Sequence, residues 1–247
     1  MEHTATETTH SLVQHQFEDA GQQKEAVTLG MWTFLATEVL FFGAVIVSYS
    51  IYRHMYPEDF RHGSLDLKWY LGAINTAVLL FSSFFMAMAV HSAATGDSKK
   101  IQLYLWLTIA VALTFLVIKF TEYYIDYDEH LIPGYNFSTT PPEESEHGAL
   151  VRGLDHMESW FGKKQRSEEP RPEKEQLYFL FYFTLTGIHA THMVIGIVVM
   201  LVLIGMARKG RFSAAWHNPV EMTGLYWHFV DIVWVFLFPI LYLLRNA

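Results

Sequence analysis

The sequence predicts an all-α fold: a polytopic membrane protein of five transmembrane helices in one bundle, with a long polar loop between helices three and four. Two observations predict it. The chain alternates long apolar runs with very polar ones, a split that its average of 51% hydrophobic residues hides. Five of those runs reach the roughly 20 predominantly apolar residues a helix needs to cross the hydrocarbon core. None shows the alternation of a transmembrane strand. Composition also excludes some chemistry. Without cysteine there is no disulfide, thiolate metal site or cysteine nucleophile. A formal charge of −8 is too acidic for a nucleic-acid binder.

Residues 1–27 form a polar tail with Lys24 as its sole cation, so no secretory signal is expected. Residues 28–125 carry the first three spans: 28–52 (TLGMWTFLATEVLFFG onward), 69–92 (WYLGAINTAVLLFSSFF onward) and 101–125 (IQLYLWLTIAVALTF onward). Residues 126–176 are a long acidic loop; twelve acids against six bases over 126–175 suit a docking surface for a basic partner. Within the loop, Leu150 to Phe161 has the composition of a short interfacial helix. Residues 177–247 carry the last two spans, 177–206 and 220–244. Lys99, Lys100, Arg208, Lys209 and Arg211 lie in the two tight turns, which places those turns and the N-terminus in the cytoplasm. The long loop and the C-terminus are then extracytoplasmic.

Ionisable groups inside such spans are costly and face protein or water. Glu38 lies about ten residues into the first span, near mid-bilayer at about 1.5 Å per residue. It reads either as a proton- or lipid-linked site or as a protonated acid bonded to a neighbouring helix. Lys119 and Glu122, three apart, predict an ion pair that snorkels to the interface. His189 and His192 share a helical face, as do His228 and Asp231. With Glu38 these could make a metal site, but no HExxH or ExxH pattern supports one. The favoured alternative is a set of polar contacts between helices, with His228 and Asp231 satisfying each other or reaching His189 and His192. Asn75, Thr76, Ser82 and Ser83 predict interhelical hydrogen bonds, and Gly187, Ala190 and Gly196 predict close backbone approach. Pro239 predicts a kink. Trp69, Tyr70, Tyr123, Tyr124, Tyr242 and Arg245 predict an interfacial belt.

An ordered set of segments resembles subunit III of the haem-copper oxidases. These are TEVLFFG with Glu38, INTAVLLFSS followed by His91, KFTEYY with Glu122, TGIHATHMVIG with His189 and His192, and YWHFVDIVWVFLFPILYL with His228 and Asp231. They cover roughly residues 29–125 and 177–244. Two departures stand out: five helices rather than the common seven, as in five-helix bacterial members, and the long loop before the fourth helix.

The resemblance implies a non-catalytic core subunit of a proton-pumping terminal oxidase, cytochrome c oxidase, in a bacterial inner membrane. It implies packing on subunit I, contact with subunit II, bound phospholipid and support of proton uptake. No cofactor is expected in this chain; haem and copper would lie in the partner subunits. Glu38, His91, Glu122, His189, His192, His228 and Asp231 become its lipid- or proton-linked polar sites. Two other readings stay open: a related subunit of a quinol oxidase or nitric oxide reductase complex, and a stand-alone transporter or metal-binding membrane protein.

Overall fold

The computed structural model describes residues 16–139, 174–214 and 216–243. Within these it is all-helical. Helix α1, Ala20–Met55, opens behind Asp19, whose carboxylate accepts the Gln22 N–H at 2.7 Å. Helix α2, Pro57–Asp66, begins with a proline where the missing N–H would in any case be an orphan. Helices α3 (Trp69–Ala94) and α4 (Ser98–Asp128) form the most extensive pair in the bundle. Their turn uses Gly96 at φ 74°, a left-handed conformation that favours glycine. Helix α5 spans Glu175–Arg208 and α6 spans Asn218–Phe238.

Five of these helices are long and apolar enough to cross a membrane, and they extend the predicted spans by a few residues at most ends. The first begins eight residues earlier than expected, at Ala20. Pro239 ends α6, and the chain continues to Leu243 as a π-helical turn. Proline cannot supply the next helical donor, so the ladder re-forms with a wider period. Helix α2 was not anticipated. Its ten residues are too polar for a span, and it is held by tertiary contact: Phe60 packs edge-on to Tyr49 and Tyr178. The expected helix at Leu150 to Phe161 lies outside the described residues, as does Arg245.

Helix α6 is the centre of the bundle and α1 its periphery: half of the most apolar window of α6 is buried, against 17% for α1. The core runs along α6. Trp227 and Trp234 are fully buried with Met86, Leu105, Phe115 and Met200. Tyr49, Phe60, Tyr178, Tyr182 and Tyr242 form a second, aromatic cluster towards α2. The outward faces are apolar, with Leu40, Phe81, Val117 and Val202 all exposed, as expected where the surrounding solvent is hydrocarbon.

Helices α3 and α6 run antiparallel and are joined by three side-chain rungs. Trp227 Nε1 donates to Ser82 Oγ at 2.8 Å, Trp234 Nε1 donates to Thr76 Oγ1 at 3.2 Å, and Ser83 Oγ lies 2.6 Å from His228 Nδ1. Such bonds contribute on the order of 0.6 kcal/mol each, so their main service here is to set register. Thr76, Ser82 and Ser83 thus act as predicted, whereas neither polar atom of Asn75 finds a partner. Gly196 meets the expectation of close approach against Trp227; Gly187 does not, because open space lies where its Cβ would be. The aromatic belt also needs correction. Tyr242 and Tyr70 are buried, because Tyr242 has internal polar partners and Tyr70 packs with Leu71 and Ile125.

Asp97 caps α4 by accepting the Lys100 N–H at 3.2 Å, and that backbone bond holds its carboxyl below the usual carboxylate range. The sign follows directly. A depressed acid stabilises the fold above its unfolded pKa, and that contribution disappears as pH falls through the folded pKa. Asp97→Asn should therefore unfold at a lower temperature than wild type at neutral pH. The two melting curves should converge as the carboxyl is titrated in acid.

Candidate functional site

Polar residues gather at three places in the bundle. The densest is at the α2 end. Lys119, on α4, is buried with 1% exposure. Its ammonium donates to Glu122 Oε2 at 2.9 Å, Tyr182 OH at 2.9 Å and Tyr242 OH at 2.7 Å, which uses all three N–H bonds. Each phenol then passes its own proton on, Tyr242 to Glu122 Oε1 at 2.7 Å and Tyr182 to Asp126 Oδ2 at 3.0 Å. Every donor direction is thereby determined. The rings of Tyr182, Tyr123, Trp234 and Tyr242 surround the ammonium at 4.5 to 5.4 Å and add cation–π attraction. One turn further along, Lys68 and Glu129 form a second buried ion pair at 3.5 Å. The snorkelling expected of Lys119 does not occur. Three acceptors and four rings inside the bundle replace its hydration, so the side chain has no reason to reach for the interface.

The second place joins α1 to α5. His192 Nε2 and Glu38 Oε2 are 3.0 Å apart, and His192 Nδ1 lies 2.9 Å from the Ile188 carbonyl. A carbonyl only accepts, so Nδ1 carries a hydrogen. The contact with Glu38 then holds one proton, on either the ring or the acid, and the pair is neutral as a whole either way. Tyr226 OH donates to the His192 carbonyl at 2.9 Å, and Phe42 packs on the imidazole. Glu38→Gln keeps a donor for Nε2 in nearly the same shape. Assembly and melting temperature should therefore stay close to wild type; loss of the chain from the membrane would instead show that an ionised Glu38 is structural.

The third place is the α3–α6 seam. His228 and Asp231 do not satisfy each other, contrary to expectation. His228 turns to Ser83, and Asp231, 3% exposed, forms no hydrogen bond on either oxygen. Their shared helix face points at α3, not at the histidines of α5. His189 is fully buried between Phe115 and Trp234, with neither ring nitrogen hydrogen-bonded. His91 is exposed in the last turn of α3 and joins none of these groups.

The structure therefore does not converge the five residues a metal-binding reading required. Among the described residues no group of three or more His, Asp or Glu is arranged to hold a metal ion. Sequence reasoning missed Asp126, Tyr182, Tyr242 and the Lys68–Glu129 pair. The signal was present in part: Glu122, Asp126 and Glu129 recur at i, i+4 and i+7, one face of a helix. Nothing in the sequence marked the tyrosines as their partners.

Residues 174–245, which contain α5 and α6, match the family model described as cytochrome c oxidase subunit III. The chain is 26% identical over 219 residues to cytochrome c oxidase subunit 3 of Thermostichus vulcanus, covering 88% of this chain and 87% of that one. It is 27% identical over 216 residues to the Synechocystis protein of the same name, covering 87% and 74%. Against the Tragelaphus imberbis protein the figures are 25% over 236 residues, covering 89% and 70%. The chain is similar to the subunit III family of the haem-copper oxidases. His189, His192, His228 and Asp231 all fall inside the matched segment. Within that segment the paired histidines of α5 serve two different neighbours: His192 reaches α1, while His189 stays in the aromatic core.

Proposed function

We propose that this chain is the non-catalytic core subunit III of a proton-pumping, cytochrome c-oxidising terminal oxidase of aerobic respiration. It packs on subunit I, contacts subunit II, holds phospholipid and supports proton uptake and turnover. Haem and copper belong to the partner subunits. The observation that carries this reading is the match of α5 and α6 to the oxidase subunit III model, since those helices form the centre of the bundle. The internal use of the ionisable groups agrees with it. Lys119, Glu38 and His192 are consumed by side chains of this chain, as suits a subunit that shapes and stabilises its neighbour. A cleft of about 480 Å³ between α1, α3 and α6, with Lys24 at its edge and Ala87, Val90, Met222 and Leu225 in its walls, suits a phospholipid chain. The cationic tight turns favour a cytoplasmic N-terminus in a bacterial inner membrane.

The test is purification in mild detergent from the native membrane, with identification of co-eluting chains and an optical spectrum. Co-elution with a haem-containing oxidase subunit is the expected result. Elution alone, with the oxidase active and complete in other fractions, would overturn the assignment.

A further inference from the structure

The network at the α2 end holds more carboxyls than amines. Glu122 and Asp126 both lie on it, and among the described residues Lys119 is its one amine. Lys68 and Glu129 pair separately at 3.5 Å. With both acids ionised, the network would enclose one uncompensated negative charge beside Tyr182 and Tyr242, which are fully buried. A carboxylate kept from water without a counter-ion takes up a proton instead of staying charged.

The hydrogen bonds decide which acid takes it. Glu122 is surrounded as an anion: Oε2 accepts from the Lys119 ammonium at 2.9 Å, and Oε1 accepts from Tyr242 at 2.7 Å. Asp126, 3% exposed, has far less. Its Oδ2 accepts one phenol proton, from Tyr182 at 3.0 Å. Its Oδ1 accepts no hydrogen bond among the described residues and is not sealed from the surface. Lys119 directs its three N–H bonds to other acceptors, and Lys68 is engaged with Glu129. Hydrogen bonds to the charged form favour that form, so Glu122 keeps its charge and Asp126 is the acid that takes the proton.

We propose that Asp126 is a proton-binding site: it holds a proton on Oδ1, which makes the buried network neutral, and exchanges it with water at the surface beside that oxygen. The step balances. One proton adds to one carboxylate, no other bond breaks, and Lys119 and Glu122 remain an ion pair. Tyr182 links the two halves, since it accepts from Lys119 and donates to Asp126. The protonation of Asp126 is thereby tied to that pair: if Glu122 loses its charge, Asp126 must balance the ammonium. The site rests on this chain's own residues and not on the subunit III reading.

The other groups that face the network are engaged elsewhere. On α4, Tyr123 donates to Thr186 at 2.7 Å, because the Thr186 hydroxyl is itself given to the Tyr182 carbonyl. On α5, Tyr178 donates to the Leu241 carbonyl at 2.7 Å, and Glu175, in the first turn, makes no hydrogen bond to Asp126. On the π-helical turn, Tyr242 gives its proton to Glu122.

The experiment is infrared spectroscopy of the intact purified complex at neutral pH. One carboxylic C=O band should be lost in Asp126→Asn, which should assemble normally because the amide oxygen still accepts from Tyr182. In the folded wild type that band should shift on transfer to D2O. Glu122→Gln should abolish the same band, since Asp126 then ionises to balance Lys119. Lys119→Met combined with Glu122→Gln, which removes both charges, should restore it; this double variant decides the matter if Glu122→Gln alone cannot be recovered. An Asp126→Asn variant that removes no C=O band, or that fails to assemble, shows an ionised Asp126 and overturns the site. A band that persists in Glu122→Gln, or is missing from the double variant, overturns the tie to Lys119. A band unmoved in D2O overturns the exchange with water.

Discussion

Lys119→Ala should be the most damaging single substitution in this protein. It removes the ammonium that Glu122, Tyr182 and Tyr242 all accept from, and leaves Glu122 and Asp126 enclosed without it. Breaking a buried pair by deleting one partner typically loses about 3–5 kcal/mol, because the remaining charge has neither water nor a counter-ion. The variant should melt well below wild type in detergent, and little of it should be recovered from the membrane. Lys119→Met combined with Glu122→Gln should recover much of that loss, since it removes both charges of the pair and keeps the volume. A single variant as stable as wild type would show that the ammonium is not what balances these acids.

Gly196→Val should be the next most severe change. A Cβ at this position falls 2.6 Å from Trp227 Cζ3 and 3.2 Å from Tyr226 Cε1. Neither ring can step aside. Trp227 is held by Ser82, and Tyr226 is held by the His192 carbonyl. The added side chain must therefore separate α5 from α6, and overpacking of this kind costs about 1–3 kcal/mol or more. Its control is Gly187→Ala, nine residues earlier on the same helix, where nothing lies within 4 Å of the new Cβ. That substitution should be neutral or stabilising by about 0.5–1 kcal/mol, from helix propensity alone. Thermal melting of both variants in the same detergent checks the pair; equal effects would mean that the α5–α6 contact is not close in the membrane.

These two predictions also show where sequence reading stops. Lys119 and Glu122 were legible as a pair because i, i+3 spacing is a property of one helix. Their environment was not, because Tyr182 and Tyr242 come from helices 63 and 123 residues away. Gly187 and Gly196 look alike in sequence, since each is a glycine in an apolar run. Only the neighbouring helix distinguishes them, by putting Trp227 against one and open space beside the other. The same holds for the histidines of α5. Spacing put both on a single face, yet one turn of helix is enough to direct His192 to Glu38 and His189 to Trp234.

The sequence by itself determined the all-helical class, the five spans, their order and the likeness to oxidase subunit III. Those follow from run length, from the need of every backbone group in lipid to bond within its own helix, and from ordered local motifs. Tertiary structure alone decided which polar residues meet. His228 and Asp231 share a helix face, but a face has no partner until another helix arrives. Here α3 arrives with Ser83, and a pair expected to bond to itself is opened by a third side chain. Helix periodicity is local and can be read from one chain segment, whereas hydrogen-bond partnership depends on the register between segments far apart in sequence.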